Sequence, residues 1–196
     1  MTVDKESFPG NASTLDRLVA KVIAKFQSCP SDKRGLISIS GVPGSGKSTL
    51  ARAVADRVQE SMPKASSAIM VPMDGYHLYR SQLAAMPNFA EAIHRRGAAF
   101  TFDADRFYKL VQALAEPITS STPTIYAPSF DHAVKDPVEN DIAIPVDARV
   151  IIFEGLYLSL DREPWSSAAG LMDELWFLDV DYFVLYLLPK YRMLSL

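Results

Sequence analysis

Apolar residues recur at Leu15, Leu18, Val19, Val22, Ile23 and Phe26, the spacing of one helical face. Ser13, Thr14 and Asp16 give a helix-start signal ahead of them, and Cys29-Pro30-Ser31-Asp32 ends the run. Leu36 to Ser40 then reads as a short β-rich strand. Lys47 to Glu60 returns to helical spacing, with Leu50, Val54 and Val58 inward, and Met62-Pro63 stops it. Ala68 to Met73 reads as a second buried strand. From Asp74 to Arg96 the pattern is irregular, with at most a short helix over Phe89 to His94. Asp103 to Glu116 is a clear helix that places Phe107, Leu110, Val111 and Leu114 on one face. Thr124 to Ala127 reads as a short strand and Pro128 to Asp141 as a polar loop. Arg149 to Phe153 and Leu175 to Leu178 are two more near-continuous apolar strands. Such strands, separated by helices, predict an α/β fold with a mainly parallel sheet covered by helices on both faces.

Composition narrows the class. The chain has 196 residues, 48% of them hydrophobic and 22% charged, enough to build a core without disulfide or metal staples. Disordered, collagen-like and coiled-coil chains are excluded. The net charge of −3 offers no basic surplus for a nucleic-acid partner. Cys29 is the only cysteine, which excludes an intramolecular disulfide and a Cys-rich zinc site, and fits a reducing, cytoplasmic setting. Asp4 and Glu6 sit in an N-terminus without an apolar run, unlike a secretory or transit peptide. The apolar run from Tyr182 to Leu188, closed by Pro189, is too short to span a bilayer, so no membrane partner is expected. The organisation read from the chain is a leader and helix over 1–34, one domain over 35–181, and an atypical apolar tail over 182–196.

The strongest local signal is Gly41-Val42-Pro43-Gly44-Ser45-Gly46-Lys47-Ser48-Thr49, which fits G-x-x-x-x-G-K-[ST]. Its glycines let the backbone curl until several N–H groups face one point. Those donors and the positive end of the following helix form a cradle for phosphates. Lys47 adds a mobile charge for the outer phosphates, and the Ser48 hydroxyl suits Mg²⁺. A strand before the loop and an amphipathic helix after it supply the required context.

Three apolar runs each lead into an acid: Asp74, Glu154 and Asp179. In an open parallel sheet these positions share the carboxyl edge with the phosphate loop. There one carboxylate can organise Mg²⁺ and another can accept the proton of an attacking hydroxyl. Asp74-Gly75 and Glu154-Gly155 carry a glycine that permits close approach. Asp179 has no such support and is read as a strand end.

The phosphate loop, Met73-Asp74-Gly75-Tyr76-His77 and Phe153-Glu154-Gly155 occur in an order that resembles the uridine kinase, phosphoribulokinase and pantothenate kinase superfamily. Arg95-Arg96-Gly97 with Phe102-Asp103 resembles a stretch of bacterial pantothenate kinases. Ala127-Pro128-Ser129-Phe130-Asp131-His132, with Asp136-Pro137 beyond, resembles their acceptor-site loop. Glu154 to Leu158 and Pro164-Trp165 look most like a less characterised bacterial and fungal kinase-like branch.

The resemblance implies a three-layer P-loop NTPase fold, with ATP and Mg²⁺ as cofactors and a small-molecule acceptor. It implies Asp74 as general base and Glu154 as an acid near the metal. It also implies nucleotide contacts from Gly41, Gly44, Ser45, Gly46, Lys47, Ser48 and Thr49. His132 matches a substrate-contacting histidine; as a residue it is equally an ordinary loop histidine. Tyr76 and His77 either touch the acceptor or pack against the loop edge. Arg95 and Arg96 either hold an anionic acceptor or end a helix in solvent.

Family members continue past Leu175 to Asp179 into a lid whose arginines clasp the phosphates. Here the run from Tyr182 to Leu196 has no arginine pair at helical spacing. The reading is ATP-dependent phosphoryl transfer to a hydroxyl of a small metabolite, with a nucleoside, pantothenate-like or sugar acceptor. The altered tail makes a poor kinase the expectation. The rival is a nucleotide-binding protein or slow ATPase without kinase activity. No N-K-x-D base-reading sequence occurs, which disfavours a GTPase.

Overall fold

The computed structural model describes residues 13–64 and 66–179. The predicted tail over 182–196 lies outside them. The elements run α1 (Thr14–Ser28), β1 (Gly35–Gly41), α2 (Lys47–Ser61), β2 (Ser67–Pro72), α3 (Arg80–Ala84) and α4 (Phe89–His94). Then come α5 (Ala104–Ala115), β3 (Ile125–Asp131), β4 (Asp136–Ile144), β5 (Ala148–Gly155), α6 (Trp165–Ala169) and β6 (Glu174–Leu178). Ser13 caps α1 by accepting from the Asp16 N–H, and Asp103 caps α5 by accepting from the Arg106 N–H.

Among the described residues, four strands form a parallel sheet in the order β2-β5-β1-β6. Its central strands alternate between two cores. Leu36, Ile151 and Phe153 point to one side, where they meet Phe107, Leu110, Val111, Leu114 and Trp165. Ile37, Ile39, Val150 and Ile152 point to the other, against Val19 and Val22 of α1 and Val54 and Val58 of α2. Apolar residues of β1 and β5 therefore point to both faces, because both faces of these central strands are covered. Burying each such side chain contributes roughly 1.5–3 kcal/mol. The first helix therefore shares a core with the sheet. No helix among the described residues is long and apolar enough to cross a membrane.

The main departure lies at Pro128 to Asp141. The sequence pattern predicts a polar loop there; instead β3 and β4 pair as an antiparallel hairpin. Positive φ at Lys135 and Asn140 and a register shift between Ala127 and Ser129 break the alternation that marks a strand. Pro137 is tolerated because the hairpin has only two strands, so every strand is an edge. Two ionic knots fasten the hairpin to the segment after β2. Glu139 accepts from the Tyr79 hydroxyl and pairs with Arg106, while Asp136 accepts from the Arg80 N–H and pairs with Arg80 and Arg96.

Candidate functional site

Register places the sequence-predicted groups on one sheet edge. Ile39 lies beside Glu154, Pro72 lies beside Glu154, and Gly41 lies beside Leu178. The phosphate loop leaves β1 at this edge, Asp74 follows β2 there, and Glu154 stands next to last in β5. Exposed Asp179 follows β6 at the same edge.

The loop has the expected shape. Gly44 and Gly46 have φ of 77° and 88°, values that L side chains rarely adopt. Gly46 is the N-cap of α2 and provides no capping side chain, so the first-turn N–H groups remain available for a ligand. Lys47 is half-buried, and Ser48 and Thr49 are exposed. The Ser45 hydroxyl is buried without a partner.

Asp74 opens a 3₁₀ turn, Met73–Tyr76, and is half-buried. A Cβ on Gly75 would overlap the Pro128 carbonyl, and a Cβ on Gly155 would overlap the Met73 side chain. The two glycines thus let the turn press against both β3 and the end of β5, which brings Asp74 to Glu154. Because the obstacle at Gly75 is backbone, it has little room to yield. Gly75→Ala is expected to cost about 1–3 kcal/mol, the usual range for overpacking. Denaturant unfolding measures this, and an unchanged midpoint would contradict the packing described.

Glu154 is 5% exposed, and its Oε2 has no hydrogen-bond partner. Burial pushes its pKa up; Lys47 pulls it down, Asp74 pushes it further up, and the Ser48 hydroxyl pulls it down. The folded state therefore binds this proton to a higher pH than the unfolded chain does. Stability from this group is lost as pH rises from the ordinary value of 4.5 through the raised one. Glu154→Gln is expected to melt above the parent near neutral pH without ligand, with the gap closing below about pH 4.5. Thermal melts across pH check this; a variant melting at or below the parent at pH 7 would refute the buried charge.

The orphaned oxygen also tests whether a metal fits. The donor set is one carboxylate oxygen and the Ser48 hydroxyl. Mg²⁺ keeps several waters and takes one or two protein carboxylates plus phosphate oxygens, so this set suits it. Among the described residues no group of three or more His, Cys, Asp or Glu could hold an ion by itself.

The acceptor-side predictions divide. His77 lies three residues after Asp74, on the same side of the turn. Its Nδ1–H donates to the Asp74 carbonyl at 2.8 Å. Its ring lies 4.0 Å from Phe102 and 4.7 Å from Phe130. Burial lowers its pKa, which keeps it neutral; the Asp74 carbonyl and carboxylate oppose this, and Arg96 and His132 add to it. His132 is exposed on the hairpin turn, 5.2 Å from Phe130.

Tyr76 is a correction: it is 2% exposed in the core, edge-on to Phe107 and beneath Arg106. Burial raises its pKa. Arg96 is not a solvated helix end, and its Nε is buried without a partner. It donates to the Leu78 carbonyl, pairs with Asp136 and lies over Phe130. Arg95 pairs with Glu91 on the surface. Sequence reading missed Phe102 and Phe130 as the two rings around His77. The only hint was that aromatic residues stand in both acceptor-side segments.

Comparison with known proteins places this geometry. A family model described as phosphoribulokinase / uridine kinase family matches residues 36–186. A protein of Aspergillus versicolor named ATP-dependent kinase-like protein notR' is 69% identical over 109 residues, which are 56% of this chain and 63% of that one. The chain thus spans less than two thirds of that relative. A Schizosaccharomyces pombe protein whose name carries the words uridine kinase is 45% identical over 174 residues, 89% of this chain and 71% of that one. Among solved structures, a Silicibacter protein whose description carries the words fructose transport system kinase superposes with a TM-score of 0.75 at 30% identity. That match covers 89% of this chain and 78% of the other.

Proposed function

The chain belongs to the phosphoribulokinase/uridine kinase family, and from that membership we propose that it transfers the γ-phosphoryl group of ATP to a hydroxyl of a small metabolite. The observation that carries the reading is the meeting of three groups at one sheet edge. These are a phosphate loop with Lys47, a buried Glu154 whose Oε2 lacks a partner, and Asp74 held beside it by Gly75 and Gly155.

Phosphoryl transfer asks the protein mainly for positioning and charge. The loop N–H groups and Lys47 hold the phosphates, with contacts from Gly41, Gly44, Ser45, Gly46, Ser48 and Thr49. An open cleft of about 470 Å³ along α2, lined by Ser48, Thr49, Arg52, Ala53 and Asp56, gives the nucleoside end room. Ser48 and Glu154 would hold Mg²⁺, which when bound supplies positive charge to the outer phosphate oxygens. The acceptor oxygen attacks the γ-phosphorus as the bond to the β–γ bridging oxygen breaks. ADP leaves, and the hydroxyl proton passes to the Asp74 carboxylate.

His77, with Phe102 and Phe130 on either side, walls the acceptor. His132 and Arg96 stand at its rim. Beyond Phe102 lies a cavity of about 420 Å³ whose lining includes Leu78, Asp103, Glu163 and Trp165. Its carboxylates suit a hydroxyl-bearing acceptor such as a nucleoside or sugar. The test is a panel of small alcohols incubated with ATP and Mg²⁺ beside a no-acceptor control. Acceptor-dependent ADP release supports the proposal. Release at the same rate without any acceptor supports a simple ATPase and overturns it.

A further inference from the structure

Arg34 precedes β1 at the amino edge of the sheet, the end away from the phosphate loop. It is 4% exposed. Its Nε donates to the Ala148 carbonyl at 3.1 Å, but Nη1 and Nη2 are buried with no partner. A guanidinium cannot shed its charge by deprotonation, so the fork stays cationic. Burial, and then the neighbouring Arg149, lower its pKa from the ordinary value, and no carboxylate opposes them. Arg149 has its own partners: it donates to the Lys33 and Pro30 carbonyls and lies over Phe26. Ser67 is the register partner of Ala148, and its hydroxyl is also buried without a partner. Two sets of unmade donors therefore gather about Ala148, where a buried unmet polar group is costly.

We propose that Arg34 and Ser67 form a binding site for a small tetrahedral oxyanion of the phosphate class, separate from the phosphate loop. The planar fork matches two oxygens of such an anion, and the Ser67 hydroxyl donates to a third. A carboxylate has only two oxygens to offer. Shielding from solvent strengthens the attraction once the anion is in place. The site stands or falls independently of kinase activity.

The test uses the full chain in a Lys47→Ala background, which weakens phosphate binding at the loop. Thermal melting is followed against inorganic phosphate, with chloride holding ionic strength constant. The expected result is a saturable rise in melting temperature that Arg34→Met reduces at least tenfold. In chloride alone, Arg34→Met melts at or above the Lys47→Ala parent, because an unpaired buried charge has gone. Ser67→Ala weakens the apparent phosphate affinity several-fold and, in chloride alone, melts at or above the parent. If Arg34→Met fails to fold, Arg34→Lys, which keeps the charge and loses the fork, shows the weakened response instead. A melt insensitive to phosphate, or an equal rise with Arg34 replaced, overturns the proposal. An equal rise with acetate overturns the tetrahedral assignment.

Discussion

Asp74→Asn leaves ATP binding intact and lowers acceptor phosphorylation by about 10²–10⁴-fold, the usual contribution of a general base. The amide keeps the shape of the side chain and cannot take a proton at neutral pH. Gly75 and Gly155 fix where the turn sits, so the substitution disturbs chemistry more than packing. Measuring kcat and ATP affinity separately checks this. A variant that keeps most of its rate with the preferred acceptor would remove Asp74 from the role of base.

Lys47→Ala weakens ATP binding by about 10²-fold, corresponding to ~3 kcal/mol, the upper end for a hydrogen bond to a charged group. Lys47 is half-buried at the first residue of α2 and belongs to neither hydrophobic core. The fold should therefore be retained, with a lower stability near neutral pH because Lys47 offsets the buried Glu154 charge. Calorimetry for affinity and circular dichroism for fold provide the check. Unchanged affinity in a folded variant would refute the phosphate-loop assignment.

The parts of this molecule that were legible in the sequence are those governed by local rules. The helices α1, α2 and α5 follow apolar spacing with side-chain or glycine caps. The strands β1 and β5 stand out by the apolar clusters Leu36-Ile37 with Ile39 and Val150 to Phe153, whose faces are both buried. The shared edge of Asp74 and Glu154 is legible because the ends of parallel strands lie along one side of the sheet.

What escaped depends on contacts distant in sequence. Nothing near Pro137 or Asn140 signals a strand, since β4 is held by pairing with β3 and by Arg80, Arg96 and Arg106. Adjacency alone groups Tyr76 with Asp74. A 3₁₀ turn advances about a third of a revolution per residue, so Asp74 and His77 share a side while Tyr76 turns into the core. The pairing of Arg96 is not legible locally because its partner Asp136 lies 40 residues away.

The central claim is that this sheet edge moves a phosphoryl group onto an organic hydroxyl. The direct measurement follows the label of γ-³²P-ATP supplied with Mg²⁺ and an alcohol panel. The account predicts that label appears in an acid-stable organic phosphate and that Asp74→Asn abolishes that product while still binding ATP. Label recovered only as inorganic phosphate, at a rate that Asp74→Asn does not change, would contradict it.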